Sequence, residues 1–279
     1  MKVPGLIAVL VVCLILLFYV LCLRTNDTRK EALKPFTEVY IAHRGLFDRE
    51  NLPENSGAAF RDAVRKGYAV ELDVRLTKDE IPVVFHDATL FRMCGVEKKV
   101  SDCTYEELCT YPLANTQKRI PTLEAALKEI AGKTPVLVEI KAEKAHKRTA
   151  EKTAEILDSY TGVYAVQSFH PLVLVWFRNH RPGVLRGQLS TDYWRDTVSC
   201  SVFQRIVRTN LMCNILTDPD FISFRHTMTG LWSYRICKRL YHTLTFGWTI
   251  RSEEELQRSE KEFNGIIFDS FLPGKKRVK

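Results

Sequence analysis

The first apolar pattern in the chain is an uninterrupted run that begins at Val3 and ends at Leu23, between Lys2 and Arg24. As a helix, this run would span about 30 Å, which is the thickness of the hydrocarbon core of a bilayer. A cleaved signal peptide has a shorter apolar core and a cleavage site of small residues, and neither is found here. The pattern therefore predicts an uncleaved transmembrane anchor over residues 1–24.

A charged connector of helical composition follows over residues 25–36, and beyond it short apolar runs alternate with helical patterns. This alternation is typical of β/α units and a parallel sheet, so residues 37–279 are predicted to form one α/β domain. The composition, 46% hydrophobic and 27% charged, is sufficient for a full core. Strands are predicted over 39–42, 69–74, 82–85, 135–140, 163–167, 184–187, 244–250 and 265–268, with a ninth candidate over 212–216. Helices are predicted over 56–66, 122–130, 147–160, 171–179 and 252–262.

Charged side chains stand near the ends of several predicted strands. Glu71 and Asp73 are two residues apart on one strand, so their side chains lie on the same face and can chelate one cation. Glu139 and Lys141 repeat this spacing on a second strand, with one acid and one base. Two histidines end other strands: His43 and His86.

Ten short motifs follow one another between Val39 and Pro273, and each alone is weakly specific. They are His43-Arg44-Gly45, Pro53-Glu54-Asn55-Ser56, Glu71-x-Asp73, Thr77-Lys78-Asp79, Val84-Phe85-His86-Asp87, Pro121-Thr122-Leu123, Glu139-x-Lys141, Ser168-Phe169, Trp248-Thr249 and Gly265-Ile266-Ile267-Phe268-Asp269. In this order they are strongly specific, and the chain resembles the glycerophosphodiester phosphodiesterases. It departs from the family at Glu80, where a glycine is usual, and at residues 270–273, where tyrosine-proline is usual. These departures concern the shape of the pocket rather than its chemistry.

The resemblance implies a TIM-type (β/α)8 barrel after the anchor, and metal-assisted hydrolysis of glycerophosphodiesters to glycerol 3-phosphate and an alcohol. Glu71, Asp73 and Glu139 would supply hard oxygen ligands, which suit Mg²⁺ or Ca²⁺ better than zinc. Arg44 and Lys141 would bind the non-bridging phosphate oxygens.

In the family mechanism the glycerol 2-hydroxyl attacks phosphorus, and water then opens the resulting cyclic phosphate. His43 and His86 would carry the protons and exchange their roles between the two steps, and the order of those roles stays open. Trp248 is expected either to form an apolar wall for the substrate or to belong to the barrel core. Glu54 and Asn55 are expected to cap the following helix rather than to reach the site, and either Asn55 or Ser56 is expected to be its N-cap.

Two further groups of residues carry weaker expectations. The segment from Phe91 to Lys118 is expected either to wall the substrate pocket or to lie on the side of the barrel. The remaining histidines are expected to be surface residues without partners: His146, His170, His180, His226 and His242.

The net charge of +8 is modest and its carriers are scattered. The two densest basic runs, over 141–148 and 275–279, could touch anionic lipid head groups, although a solvated surface is favoured. The chain has no basic recognition helix and no aromatic-basic stacking pattern, so no nucleic-acid partner is predicted, and no protein partner is indicated. Eight cysteines without CxxC or zinc spacing predict free thiols in a reducing compartment.

The charges that flank the anchor predict its orientation. Lys2 stands on the amino side, and the carboxyl side is richer in basic residues: Arg24, Arg29, Lys30 and Lys34. The side richer in lysine and arginine tends to stay in the cytoplasm, so a cytoplasmic barrel is predicted, with an extracellular barrel as the alternative.

Three functions compete. The leading one is a membrane-anchored phosphodiesterase that acts on deacylated head groups such as glycerophosphocholine. The second is lysophospholipase D-type cleavage of lysophospholipids, which calls for a broad apolar rim around the metal rather than a tight polar pocket. The third is a barrel that binds phosphodiesters without turnover, and the intact set of histidines, acids and cations argues against it.

Overall fold

Eight parallel strands close into a barrel in the computed structural model, which describes residues 3–48, 51–142, 145–196, 200–274 and 276. The ring runs β1-β2-β4-β5-β6-β7-β8-β9 and closes because β1 pairs with both β2 and β9. β3 pairs antiparallel with β2 and lies outside the ring. The predicted (β/α)8 barrel is confirmed. The strands are β1 Ile41–Ala42, β2 Ala69–Leu76, β3 Pro82–Val84, β4 Val136–Ile140, β5 Tyr164–Ser168, β6 Arg186–Ser190, β7 Phe221–Arg225, β8 Leu244–Ile250 and β9 Gly265–Phe268.

Helices cover the outside of the barrel, and the five helices predicted after the anchor are confirmed within about three residues at each end. The apolar periodicity predicts these helices because each of them buries one apolar stripe against the strands. The α-helices are α1 Val3–Cys22, α2 Lys34–Thr37, α3 Gly57–Lys66, α4 Phe91–Cys94, α5 Tyr105–Leu108, α6 Leu123–Ile130, α7 His146–Leu157, α8 Pro171–His180, α9 Val202–Thr209, α10 Asn214–Thr217, α11 Trp232–Arg239 and α12 Glu253–Ser259. Short 3-10 turns lie at Glu31–Leu33, Val100–Asp102 and His226–Met228.

The ninth strand predicted over 212–216 is wrong. That run enters the short helix α10, and the strand that completes the ring is β7, five residues downstream of it. A short apolar run does not distinguish a strand from a helical turn by its pattern. Asn214, within the run, is fully buried and donates to the carbonyl of Leu23, so the run packs beside the end of α1.

One end of the barrel is filled by an apolar cluster to which the connector contributes. Leu33 and Phe36 are fully buried among residues from the amino-terminal ends of the strands, and Phe36 packs 6.4 Å from Phe246. Phe221 stacks on Phe246 at 4.5 Å. Because this end is filled with side chains, the polar residues collect at the carboxyl-terminal ends of the strands, where barrel enzymes bind their substrates.

The apolar amino-terminal run forms one continuous helix, α1, of 20 residues with a mean hydropathy of 3.1. It is long and apolar enough to cross a membrane, and only 6% of its most apolar stretch is buried by the rest of the chain. A signal sequence would have the same appearance. Lys2 lies outside the described residues, so its place relative to α1 is not described.

All eight cysteines are within the described residues and are free thiols. Cys103, Cys213 and Cys237 are buried in the folded domain, which agrees with the absence of a disulfide pattern in the sequence. The compartment that the cysteines suggested stays a prediction.

Candidate active site

Three buried carboxylates meet at the carboxyl-terminal ends of β2 and β4. Glu71 and Asp73 share one face of β2, and Asp73 is in register with Glu139 on β4. One oxygen from each side chain lies within 4.8 Å of the other two. The structure thus brings together the three acids that the sequence singled out, and their role as metal ligands stays a prediction.

The chemistry of this cluster fits a hard cation. Burial raises the pKa of Glu71 well above its usual range, and the charges of Asp73 and Glu139 raise it further. Glu71 Oε1 is buried without a hydrogen-bond partner among the described residues. A buried oxygen in this position is costly unless something neutralises it. These carboxylate oxygens could hold Mg²⁺ or Ca²⁺.

Lys141 follows β4 and approaches two of the three acids. Its Nζ lies 2.5 Å from Glu139 Oε1 and 3.2 Å from Asp73 Oδ1, although neither oxygen is aligned as its hydrogen-bond acceptor. Burial would lower the pKa of Lys141, but the charges of Asp73 and Glu139 outweigh it and raise that pKa. For Asp73, burial would raise the pKa, but Lys141 and the neighbouring cations hold it below its usual range. Lys141 is therefore a fixed positive charge beside the acids.

Arg44 supplies the second cation from the turn after β1. Its backbone lies in the left-handed region at φ 57°, which points its N–H at Glu71 Oε2, 2.8 Å away. The next residue, Gly45, continues the turn at φ 79°, where a Cβ would lie 2.9 Å from the ring of Phe60. The guanidinium group lies 3.5 Å from Asp73 and donates to Glu54 at 2.7 Å. The turn therefore places one arginine against both β2 acids.

Each predicted catalytic histidine is held by a carboxylate through Nδ1. His43 Nδ1 lies 2.9 Å from Asp269 Oδ2, which follows β9, and His86 Nδ1 lies 2.7 Å from Asp87 Oδ1. Burial lowers the pKa of His43, and the hydrogen bond to Asp269 opposes that shift. With Nδ1 engaged, Nε2 is the ring nitrogen available for proton exchange with a substrate. Both acids lie in the motifs that carried the family resemblance, yet the sequence reasoning gave neither of them a role.

Of the two expected N-caps, Ser56 is confirmed: it is the N-cap of α3 and accepts from the backbone N–H of Ala59 at 3.2 Å. The expectation that Glu54 and Asn55 cap this helix rather than reach the site is wrong. Asn55 is buried and donates from Nδ2 to Asp73 Oδ2 at 2.9 Å. Glu54 binds Arg44 on one side and Arg92 on the other. Since both residues contact the cations and acids of the cluster, they belong to the site. Their position could have indicated this role, because they stand directly before the N-cap of a helix that follows a strand end.

The predicted site residues other than Asp73 line a small polar cavity of about 140 Å³ at the mouth of the barrel. A larger cavity of about 340 Å³ adjoins it and shares Glu139, Lys141, Phe169 and Trp248 with it. The small cavity is lined by His43, Arg44, Glu71, His86, Glu139, Lys141, Gln167, Phe169, Leu189, Trp248, Thr249, Arg251 and Ile267. Gln167 and Arg251 are further polar residues that sequence reasoning did not select.

Trp248 stands between the two cavities, and it also packs against the apolar cluster inside the barrel. Phe169 meets its ring edge to face at 5.6 Å, and the guanidinium of Arg225 lies 5.5 Å from its centre. Trp248 therefore lines the cavities and also packs in the barrel core, which are the two alternatives expected for it. Its binding of substrate stays a prediction.

The expectation for the other histidines, that they are surface residues without partners, is wrong for four of the five. His146 and His170 stack at 4.8 Å, and His170 lines the larger cavity, where burial lowers its pKa to about 4. His226 lies 3.9 Å from a carboxylate oxygen of Glu255. His180 is exposed, but its ring stacks on Trp176 at 4.6 Å and its Nδ1 lies 2.9 Å from the carbonyl oxygen of Trp176. His242 is exposed, as predicted. The pairings of His146, His170 and His226 join segments far apart along the chain, so no local spacing indicated them.

The segment from Phe91 to Lys118 packs around a small apolar cluster of its own, together with Val83 and Phe85 near β3. Arg92, at the start of this segment, pairs with Asp87 and Glu54 at the edge of the site. Lys99, Ser101 and Asp102 of the segment line a further cavity with Lys141 of the site. Both alternatives are therefore partly realised: the apolar cluster lies on the side of the barrel, and other residues of the segment wall a cavity beside the site.

Comparisons with known proteins agree with this geometry. The rat lysophospholipase D (Rattus norvegicus) is 38% identical over 138 residues, which cover 45% of this chain and 42% of that protein. Bacillus subtilis YhdW, named as a candidate glycerophosphodiester phosphodiesterase, is 37% identical over 153 residues, or 52% of this chain and 62% of that protein. The chain thus spans less than two thirds of the length of these relatives.

Solved structures show the same fold. An Oleispira antarctica phosphodiesterase, solved in complex with sn-glycerol-3-phosphate, superposes with a TM-score of 0.68 at 23% identity, covering 83% of this chain and 92% of that one. The model of the glycerophosphoryl diester phosphodiesterase family matches residues 43–213, a span that contains both histidines and all three acids. The chain therefore belongs to the glycerophosphoryl diester phosphodiesterase family.

Proposed function

We propose that this protein hydrolyses glycerophosphodiesters to sn-glycerol 3-phosphate and an alcohol, with a divalent cation. The observation that carries the proposal is the buried cluster of Glu71, Asp73 and Glu139, of which Glu71 and Glu139 line one cavity with His43 and His86. A phosphodiester resists hydrolysis because its negative oxygens repel a nucleophile, so a catalyst must neutralise charge and move protons. Family membership and the sn-glycerol-3-phosphate complex of the Oleispira antarctica enzyme support this choice of reaction.

Glu71, Asp73 and Glu139 would hold the cation, whose chemistry here is the neutralisation of negative charge on the phosphate. Lys141 and Arg44 lie at the same cluster and would bind the non-bridging phosphate oxygens, the arginine through its planar fork. The all-oxygen donor set favours Mg²⁺ or Ca²⁺, and the choice between them is left to experiment.

His43 and His86 would carry the protons, each through Nε2, while Asp269 and Asp87 fix their Nδ1 atoms. In the first step one histidine takes the proton of the glycerol 2-hydroxyl as its oxygen attacks phosphorus, and the other protonates the departing alcohol. In the second step the roles exchange as water opens the cyclic phosphate. The small polar cavity suits a glycerophosphate group.

We further propose that α1 anchors the protein in a membrane and that the barrel is cytoplasmic. The length and hydropathy of α1 support the anchor, and the basic residues Arg29, Lys30 and Lys34 that follow it support the orientation. A reporter fused after residue 279 should be active in the cytoplasm. Digestion of the barrel by protease added to intact cells would place it outside.

Lysophospholipase D-type cleavage is the second candidate, and the larger cavity beside the site favours it. That cavity has a volume of about 340 Å³ and is lined by Glu139 of the acidic cluster together with Tyr193 and Trp248, so it offers room beyond a glycerophosphate group. The rat relative carries the name of this activity.

The test is a turnover assay on the full chain in detergent, with glycerophosphocholine and lysophosphatidylcholine as substrates. Activity should disappear with chelator and return with Mg²⁺ or Ca²⁺. His43→Ala and His86→Ala should each lower turnover about 10²- to 10⁴-fold, the usual contribution of a positioned general acid or base. The matched control is His242→Ala, because His242 is an exposed histidine outside the site. A folded His43 or His86 variant with kinetics within about threefold of wild type would remove that histidine from the mechanism.

A further inference from the structure

Helix α9 presents three of its four apolar side chains to solvent, while its polar carboxyl end is turned to the protein. Phe203 is 73% exposed, Val202 63% and Ile206 43%, whereas Thr209 is 4% exposed and Arg208 lines the larger cavity. A surface helix of a globular domain normally shows the opposite arrangement, with its apolar stripe inward. Exposed apolar groups that cluster in this way mark an interaction surface.

The helix is held in this orientation by hydrogen bonds at its carboxyl end. The hydroxyl of Ser190, at the end of β6, donates to the carbonyl of Arg208 at 2.8 Å, and the hydroxyl of Ser233 donates to the carbonyl of Thr209 at 3.4 Å. The backbone N–H of Tyr193 donates to Thr209 Oγ1 at 3.1 Å. Since these bonds fix the rotation of α9 about its axis, its apolar side stays outward.

The end of α1 lies beside this surface. The hydroxyl of Tyr19 in α1 donates to Asn210 Oδ1, 3.4 Å away, and Asn210 is the C-cap of α9. One turn further along the chain, the carbonyl of Leu23 accepts from the thiol of Cys237 at 3.5 Å. The membrane helix is therefore joined to the barrel at α9 and α11.

The direction of α1 follows from its contacts with α11. Tyr19 interacts with Ser233 at the start of α11, whereas Leu23 contacts Cys237 one turn later, so the two helices run parallel. In a β/α barrel the start of such a helix lies at the catalytic end of the strands. The part of α1 before Tyr19, about 24 Å long as a helix, therefore extends past the catalytic end of the barrel.

Two exposed tryptophans lie in the segments that flank this junction. Trp232, the first residue of α11, is 74% exposed, and Trp194, in the segment between β6 and α9, is 52% exposed. Tryptophan is enriched where a membrane protein meets the head groups, because its ring is both apolar and polar. Apolar helix face, tryptophans and membrane helix all meet on one side of the molecule.

We propose that α9, Trp194 and Trp232 rest on the bilayer that holds α1, so that the catalytic mouth faces the membrane surface. The occupant of the apolar surface is a phospholipid bilayer, because the helix that enters the bilayer ends at the cap of α9. An amphipathic helix lying in the interface plane binds in this way. The inner side of α9 walls the larger cavity through Arg208, so a substrate could enter from the membrane. This inference rests on the proposed membrane anchor, and it deepens the proposed function by favouring lysophospholipids.

The first test measures contact with lipid and needs no activity. The full chain is reconstituted in vesicles of phosphatidylcholine brominated on its acyl chains, and quenching of tryptophan fluorescence is recorded. A Trp194→Phe/Trp232→Phe double variant should lose most of the quenchable emission, whereas the matched control Trp176→Phe, at a buried ring stacked on His180, should retain it. Equal quenching of the double variant and wild type would overturn the proposal.

The second test compares substrates. Phe203→Glu/Ile206→Glu should lower turnover of lysophosphatidylcholine in vesicles by about tenfold, because a charged face cannot enter the interface, and should leave turnover of soluble glycerophosphocholine unchanged. Val163→Glu, a control at a 45% exposed apolar residue at the amino-terminal end of β5, should change neither. An equal loss on both substrates, or on neither, would overturn the route from the membrane. If wild type cleaves neither substrate, the proposed function fails, and the quenching result still decides the docking.

Discussion

Replacing Glu71 by glutamine should stabilise the metal-free protein and abolish its stabilisation by metal. Glu71 is 1% exposed, and burial together with Asp73 and Glu139 raises its pKa well above the usual range. Glutamine keeps the shape and can still accept the backbone N–H of Arg44, which now donates to Glu71 Oε2 at 2.8 Å. Only the charge is removed.

The size of the effect follows from proton linkage. A buried carboxyl with a raised pKa contributes full stability below the unfolded-state pKa of about 4.3, and this contribution is lost as the pH rises towards the folded-state pKa. The loss is about 1.4 kcal/mol for each pH unit in that window. Wild type should therefore lose up to about 1.4 kcal/mol relative to Glu71→Gln between pH 5 and pH 6. Metal at about 100 times its dissociation constant should restore about 2.7 kcal/mol to wild type and almost nothing to the variant.

The assay is urea unfolding of the full chain in detergent, followed by tryptophan fluorescence at pH 5, 6 and 7, with chelator or with Mg²⁺ or Ca²⁺. Glu129→Gln is the matched control: Glu129 pairs with Arg61 on the surface, its side chain is 41% exposed, and its loss should alter neither the pH slope nor the metal response. The reasoning is refuted if the unfolding free energies of wild type and Glu71→Gln stay parallel across this pH range with chelator. A variant that keeps the full stabilisation by metal would separate Glu71 from the cation site.

Two further predictions test how the site is supported. Asp269→Asn keeps an acceptor oxygen but removes the negative charge beside His43 that raises its pKa, so whichever limb of the pH profile of kcat/KM His43 sets should move to lower pH. The matched control is Asp158→Asn, at a surface acid paired with Arg181, which should leave the profile in place. An unmoved limb in Asp269→Asn would exclude His43 as the group that sets it. Ser56→Ala removes the N-cap that accepts from Ala59, and urea unfolding should show a loss of about 1 kcal/mol. No measurable loss would show that other contacts hold the start of α3.

Most strands could be predicted from runs of apolar and β-branched residues, even where acids interrupt the run, as in β2. β4 is uniformly apolar until Glu139 and its prediction agrees within one residue. β7 could not be predicted, because its apolar run is only two residues long before Ser223. That serine points into the barrel, where its hydroxyl donates to Gln167 at 2.7 Å, so it is satisfied only by a partner on another strand. Such a partner can be identified from the structure and not from the local sequence.

The site residues likewise divide into those that the local sequence could predict and those that it could not. Glu71 and Asp73 could be placed together because the two-residue period of a strand fixes their common face. The partner of His43 could not be found by spacing, since Asp269 lies 226 residues away and meets it only when β9 closes the ring beside β1. Arg92 likewise reaches Glu54 across 38 residues.

The charges of the assembled cluster explain why a divalent cation suits it. When all three are ionised, as ligands of a cation must be, the acids Glu71, Asp73 and Glu139 bring three negative charges, and the contacts of Lys141 and Arg44 bring two positive ones. Neither of these two cations forms an ion pair with Glu71 among the described residues, and one oxygen of Glu71 is without a hydrogen-bond partner. A divalent cation would change this net charge from minus one to plus one, which matches the single negative charge of a phosphodiester. A monovalent cation would leave the cluster neutral, with less attraction for that anion. We therefore expect Na⁺ or K⁺ to fail to support turnover in the chelated enzyme at any concentration that leaves it folded, and activity restored by either ion would contradict this charge balance.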